Sequence, residues 1–394
     1  MRTTRNYNKL SKRRLISVRD RLDKGDEINF IRDFDYLLMG VVLIISIIGL
    51  VMLASASENM YKDKGAQAMI VQVVGLVIGF GCAMIMAYMD YYLFRLFCFP
   101  FYLANIFLML LVFTPLSAGE QGGSNAWLDL GVTTYQPSEL MKLAMLLMIA
   151  KLLEKSHKTG FTFKIYVQII AVFVVPLGLV LLQKDMGQAM VFVFAFLVAV
   201  FIGKMPWKYI ISTVAVGATA IPFVWKFAMN DTRRERFLAF LDPEKYADYS
   251  YQQQQCVTAI GSGGLVGQGI GSGEMNNGKL IPVKLSDSIF AVMGEEIGFI
   301  GCLLVIILLA IMLLRMLTIS NNAREPFGQI VAAGILAMFT FNIFENIGMN
   351  LGMMPITGLP LPFVSKGGSA MVTNYFCIGV LLSISIRKKN ESFF

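Results

Sequence analysis

Histidine occurs once in this chain, as His157, and charged side chains make up only 15% of its 394 residues. One histidine in a basic run leaves nothing for a His-ligated zinc centre and argues against histidine acid–base chemistry. Cysteine is scarce too. Cys82, Cys98, Cys256, Cys302 and Cys377 show no metal or disulfide spacing, and only Cys256 lies in a polar stretch. The glycine-rich string GSGGLVGQGIGSG at 261–273 lacks a Walker Lys-Ser/Thr and a preceding strand with the dinucleotide fingerprint. That excludes a nucleotide site, and flexible backbone packed around a polar lipid headgroup is expected instead. Soluble domains carry about 25% charged residues, so the shortage of charge itself points away from water.

What is there instead is apolar: 56% of the residues, arranged in separate blocks of membrane-spanning length. The blocks run at 36–55, 66–88, 96–115, 138–153, 165–182, 186–203, 208–228, 288–314, 327–350 and 368–386. They predict an all-α integral membrane protein with about ten transmembrane helices, multi-pass in the cytoplasmic (inner) membrane. Residues 1–33 have no cleavable signal pattern, because the basic stretch is too long and the apolar run follows late. The first block is therefore read as an anchor.

Lysine and arginine set the orientation. Residues 1–33 hold ten of them, and a cytoplasmic start puts Arg95, Lys151, Lys155, Lys158, Lys164, Lys204, Lys208, Arg315, Arg324, Arg387, Lys388 and Lys389 on the same side. The short outside loops hold only Lys62, Lys64, Lys184 and Lys366. Both termini are expected in the cytoplasm, and the net charge of +8 follows from topology rather than from nucleic acid. Three regions result: a basic cytoplasmic segment 1–33, a polytopic membrane domain 34–386 and a cytoplasmic tail 387–394. Within the domain, 229–287 is a large extracytoplasmic loop between helices 7 and 8, charged at first and glycine-rich later. A second outside loop, 116–137, carries Trp127 and Asp129. No internal repeat marks an inverted-repeat transporter.

An ionisable group inside an apolar span is costly unless partnered, so Glu139, Lys142, Lys184, Asp185, Glu295, Glu296 and Glu345 are all functional candidates. Pro137 suits the first turn of a helix. It places Glu139 at the positive N-terminus and Lys142 one turn on, within ion-pairing reach. The pair is either an intrahelical bridge or the lining of a polar cavity. Asp287 closes the long loop at the mouth of the eighth span. It reads either as an N-cap or, partly desolvated with a raised pKa, as a general base. Glu295 and Glu296 lie about two turns deeper, and at least one must face protein or water. The segment MPITGLPLPFVSKGGSA at 354–370, with Pro355, Pro360 and Pro362, cannot form one regular helix. It is expected to be irregular, buried in protein or lining a wet cavity, with Lys366 offering a cation to an anionic ligand.

Six blocks, taken in order, resemble the SEDS family typified by RodA, FtsW and SpoVE: FDYLLMGVVLIISIIGLVMLASAS (34–57), WLDLGVTTYQPSELMKLA (127–144), QKDMGQA (183–189), YQQQQCVTAIGSGGLVGQGIG (251–271), DSIFAVMGEEIGFIG (287–301) and NIGMNLGMMPITGLPLPFVSKGGS (346–369). The resemblance implies an inverting peptidoglycan glycosyltransferase that polymerises lipid II at the outer face of the membrane, for cell elongation and shape or for division. It implies a class B penicillin-binding protein as crosslinking partner, other elongasome or divisome membrane proteins as neighbours, and no nucleic acid. The family's essential aspartate sits in a motif resembling His-Thr-Asp-Phe-Ile-Phe-Ala, which falls on Leu285-Ser286-Asp287-Ser288-Ile289-Phe290-Ala291 and makes Asp287 the catalytic carboxylate.

The same resemblance makes Glu139, Lys142, Asp185, Arg233, Glu295, Glu296, Ser365, Lys366, Gly367 and Gly368 the expected substrate-binding set. Lys142 and Lys366, with Arg233, Arg234 and Arg236 behind them, would neutralise the leaving pyrophosphate. A divalent cation, Mg or Mn, could assist there, and no ligands are assigned to it. The chain departs from the family at Leu285-Ser286, at Ser288, and at Lys366, where an aromatic residue is usual. TGLPLPF looks more like the RodA branch, and the first span looks more like FtsW; the balance leans to RodA. A flippase for the lipid-linked precursor and a noncatalytic scaffold are the rival readings.

Overall fold

The computed structural model describes residues 30–57, 62–120, 123–131, 133–223, 225–226 and 231–387. The chain divides into two compact units, Met1–Phe34 and Asp35–Phe394. Of the first, the described part includes one short helix, Phe30–Asp33.

In the second unit each apolar block of the sequence is a helix. In chain order these are α1 (Tyr36–Ser57), α2 (Lys62–Tyr88), α3 (Tyr91–Leu111), α4 (Pro137–Thr159), α5 (Phe163–Leu182), α6 (Met186–Ile202) and α7 (Trp207–Phe223). After α8 (Asp231–Leu241), α9 (Ala247–Ser262) and α10 (Glu274–Asn277) come α11 (Ile289–Asn321), α12 (Pro326–Asn350) and α13 (Gly368–Ile386). Among the described residues seven of these, α1, α2, α3, α5, α11, α12 and α13, are long and apolar enough to cross a membrane. The protein is a multi-pass integral membrane protein. Helices α6 and α7 are apolar but only 17 residues each, and α4 carries charge at both ends.

Several boundaries differ from the sequence expectation, and at two of them charge pairing explains the difference. The third helix begins at Tyr91, not 96, because Arg95 lies inside it, its guanidinium paired to Glu154 at 2.8 Å and Glu325 at 3.3 Å. Asp90 caps that helix by accepting from the Tyr92 N–H at 2.9 Å. Helix α4 runs to Thr159, past 153, because Glu154 also binds Lys158 one turn on, at 2.8 Å.

Helix α4 is the core. From Gln136 to Ala150 every residue except Leu140 is buried, enclosed by α3, α5, α6 and α12. A helix apolar on all sides must be covered on all sides, which is why the polar members of this stretch find partners inside the protein. Helix α7, by contrast, buries none of its residues.

The 229–287 region is more ordered than a long loop. It folds into α8, α9 and α10, and its glycine-rich string is not loose around a headgroup. Gly298 interrupts α11 with φ 64° and ψ −168°, which frees main-chain groups that would be costly unpaired at membrane depth. The string supplies the missing partners. Gln268 and Gly269 donate to the Glu295 and Glu296 carbonyls at 3.0 Å each, while Phe299 and Ile300 donate to Gly264 and Leu265 at 2.9 and 3.1 Å. A side chain at Gly267 (φ 81°) would sit 2.2 Å from the Glu296 oxygen, so only glycine permits the approach.

In the 116–137 region Leu128 and Asp129 pair antiparallel with Tyr135 and Thr134 as a short two-stranded ribbon, β1 (Leu128–Asp129) and β2 (Thr134–Tyr135). The 351–367 stretch is irregular, as the prolines demand. Its fold is pinned by Phe363, which holds φ at 66° while its ring stacks on Phe339 and meets Tyr375 edge-on.

Candidate active site

Asp287 lies in the irregular run before α11, 6% exposed. Its main-chain oxygen takes two amide donors from α12, Asn346 Nδ2 and Asn350 Nδ2, each at 2.9 Å. The preceding Leu285 oxygen accepts from the Lys366 N–H at 2.8 Å. Loop 283–288 is thus tied to α12 and to the proline-rich stretch at once. On the carboxylate, Oδ1 accepts from the Ser286 hydroxyl at 3.2 Å. Burial raises the Asp287 pKa above the usual carboxylate range, opposed by hydrogen bonds from its own main chain, Ser286 and Gln252 and by the charge of Arg236. A proton-accepting carboxylate needs that direction of shift. Burial also pushes the nearby Cys256 thiol up to about 11, despite a hydrogen bond to Ser288.

A second polar group is built on α4 and α6. Lys142, 0% exposed, donates to Glu139 Oε2 at 3.0 Å and Gln188 Oε1 at 2.8 Å, and Gln188 Nε2 returns to Glu139 Oε1. Asp185 caps α6 through the Gln188 N–H at 3.2 Å and accepts from Gln136 Nε2 at 2.8 Å. Each buried charge is matched by a hydrogen-bonding partner. Inside the protein Lys142 balances Glu139, and Asp185 serves as a helix cap. Glu139 does line a cavity, with Asn342, Ser365 and Asn374. The Asn342 Oδ1 is buried there with no partner.

The remaining candidates fall into two places. Ser365, Gly367 and Gly368 sit on α2: Gln72 donates to the Ser365 oxygen at 3.0 Å and accepts from the Gly367 N–H at 2.9 Å, and Gly368 lies against Val71. Lys366 between them is exposed. Glu295 and Glu296 are both buried and both directed at the chain itself, toward the N-terminus of α10 and toward Ser55 of α1. They fasten the glycine-rich loop and α10 to α11 and α1. Arg233 lies in α8 with its side chain outside the described residues. Arg234 caps the carbonyls of Trp225 and Lys226 at 2.9 and 2.7 Å, which leaves Arg236 as the arginine whose charge reaches Asp287.

Sequence reasoning missed the neutral amides Asn346, Asn350, Gln72 and Gln188, because an uncharged amide in an apolar run carries no alarm of its own. Among the described residues no three His, Cys, Asp or Glu side chains converge to hold a metal ion.

A family model described as cell cycle protein, covering FtsW, RodA and SpoVE, matches residues 35–390. The chain belongs to this family. Within the FtsW/RodA/SpoVE family it is 33% identical over 374 residues to the probable peptidoglycan glycosyltransferase FtsW of Geobacter sulfurreducens, covering 93% of this chain and 99% of that one. It is 34% identical over 289 residues to the peptidoglycan glycosyltransferase MrdB of Escherichia coli K12, covering 73% and 78%. Identity therefore does not separate the branches. Among solved structures, a chain from a peptidoglycan synthase complex, described as structurally coordinating polymerization and crosslinking, superposes with a TM-score of 0.75 at 28% identity, covering 89% and 97%. The rod shape determining protein RodA of Thermus thermophilus superposes at 0.66 and 25% identity, covering 89% and 96%.

Proposed function

We propose that this chain is a peptidoglycan glycosyltransferase of the cytoplasmic membrane that polymerises lipid II into glycan strands, with Asp287 as its general base. The observation that carries the base assignment is a buried carboxylate whose main chain is fixed by two α12 asparagines. Ten crossings with both termini in the cytoplasm put the 229–287 region, and Asp287 at its end, on the outer side, which the lysine and arginine distribution supports.

In the reaction, Asp287 takes the proton from the acceptor sugar hydroxyl as that oxygen attacks the anomeric carbon of the donor. The new C–O bond forms as the bond to the pyrophosphate breaks, and the electron pair leaves with the undecaprenyl pyrophosphate. Attack opposite the leaving group inverts the carbon. The departing group is already a good one, so the protein's task is to balance its charge. Arg236 and the exposed Lys366 are the cations suited to this, since Lys142 is occupied by Glu139 and Gln188. A crosslinking transpeptidase of the class B penicillin-binding type would take the product in cell elongation or division. The family likeness to a complex of polymerization and crosslinking supports such a partner.

The test is polymer formation from lipid II by purified protein, wild type against Asp287→Asn, with strands resolved on a gel. Polymer from wild type and none from a folded variant supports the reading. Polymer from both removes Asp287 from the mechanism, and polymer from neither with the transpeptidase present favours carriage of the lipid or a scaffold.

A further inference from the structure

Three residues before Asp287, Lys284 turns its side chain into the protein and is 8% exposed. Its ammonium donates to the main-chain oxygen of Asn276 at 2.9 Å and to Asn276 Oδ1 at 2.6 Å. Asn276 is fully buried in α10 and passes the connection on. Its Nδ2 donates to Glu296 Oε1 at 2.7 Å and its N–H to Glu295 Oε2 at 3.0 Å. Glu296 also accepts the Ser55 hydroxyl at the C-terminal end of α1, at 2.7 and 2.6 Å to its two oxygens.

Such a lysine is expensive. Burial pulls its ammonium below the usual lysine range, with Glu296 opposing, and fixing a four-carbon stem costs side-chain entropy. Its ammonium is spent on Asn276. What it provides is a second fixed point for the irregular run that carries the carboxylate. The Asn346, Asn350 and Lys366 hydrogen bonds hold that run against α12 and the proline-rich stretch; Lys284 holds its other side to α10, and through Glu296 to α1 and α11. A carboxylate working in proton transfer tolerates little misplacement, since about 1 Å can cost a hundredfold in rate.

We propose that Lys284 is a positioning residue for Asp287, acting through Asn276 and Glu296. This rests on Asp287 as the general base. The experiment is steady-state polymerisation of lipid II by purified, full-length wild type, Lys284→Met, Lys284→Arg and Asp287→Asn, each first shown to elute and melt like wild type. Expected for Lys284→Met is a kcat lowered about tenfold or more with KM within about twofold, and for Lys284→Arg, which keeps a donating cation, recovery to within about threefold of wild type. An unchanged kcat in folded Lys284→Met overturns the proposal. So does a loss in which kcat and KM worsen together and arginine gives no recovery, since that describes a general loosening. If Lys284→Met does not fold, Lys284→Gln, which lacks the charge and is one atom too short to hold Asn276 as lysine does, carries the same comparison. An active Asp287→Asn instead overturns the base assignment, and the two failures are told apart by which variant polymerises.

Discussion

Asn346 of α12 reaches across 59 positions of sequence to donate its side-chain amide to the main-chain oxygen of Asp287 at 2.9 Å. Asn350, one turn on, donates to the same oxygen, and both asparagines are buried. Two donors on one carbonyl fix the direction in which the aspartate side chain leaves the backbone.

Removing either donor should lower activity before it lowers stability. Asn346→Ala is the more damaging, because its second bond leaves α12 for the Leu359 oxygen at 2.8 Å, whereas that of Asn350 stays within the helix on Asn346. Loss of one donor leaves the Asp287 oxygen held by the other but less well directed, and since about 1 Å of misplacement can cost a hundredfold in rate, single variants should lose roughly ten- to a hundredfold in kcat. The double variant should lose less than the product of the two. Turnover of lipid II by the four proteins is the measurement, and strict multiplicativity would show that the two amides do not share a task.

The acid limb of the pH–rate profile should lie above the ordinary carboxylate range, because burial raises the Asp287 pKa and the base must be ionised to act. Activity rises with pH through that value and is lost below it. Arg236 lowers the same pKa, so Arg236→Ala should move the acid limb to higher pH. A shift in the other direction, read from kcat/KM between about pH 4 and 8, would mean that another group titrates.

Lys142→Met should destabilise sharply, because it strands Glu139 inside α4. Breaking a buried pair by removing one partner costs about 3–5 kcal/mol. Adding Glu139→Gln should recover most of that loss, since a neutral amide can still bond Gln188. Thermal melting in detergent compares the three, and a double variant no more stable than Lys142→Met would contradict a simple charge-pairing role.

Gly263→Ala tests the seating of α9 on α11. The added carbon would lie 2.0 Å from the Gly294 oxygen, a main-chain atom that cannot swing away. Overpacking of this kind costs about 1–3 kcal/mol or more, and it should appear as increased proteolysis within 231–287 with little change in the rest of the chain.

The helices were legible because an apolar run of spanning length has one structural use in a bilayer. Their ends were less so wherever a charge belonged to the helix, as Arg95 does through Glu154 and Glu325. The position of Asp287 came from a motif, while its clamps did not: Asn346 and Asn350 look like ordinary polar residues in an apolar helix, and nothing local says which carbonyl they serve. Glu295 and Glu296 illustrate the limit differently. Burial cost announces that two carboxylates in an apolar run need partners. Which partners depends on Gly298 breaking α11 and on a glycine string some thirty residues earlier filling the break, a relation between distant segments that no local pattern encodes.

The tie between the first helix and the last has a consequence for how the chain is made. Ser46 of α1 shares a hydrogen bond with Tyr375 of α13, 329 positions later, at 2.9 Å. Gly49 lies so close to Phe363 and Val364 that a single added carbon would meet their backbone at 2.6 and 2.7 Å. At translation rates of about 5–20 residues per second, α1 must wait roughly 15 to 65 s in the bilayer for the segment that covers it. During that interval its small-residue face is open to every helix inserted in between. The fold must therefore be secured against premature pairing, and Gly49, bare enough for the turn at Phe363 and Val364 to lie against it, is one means of reserving the seat.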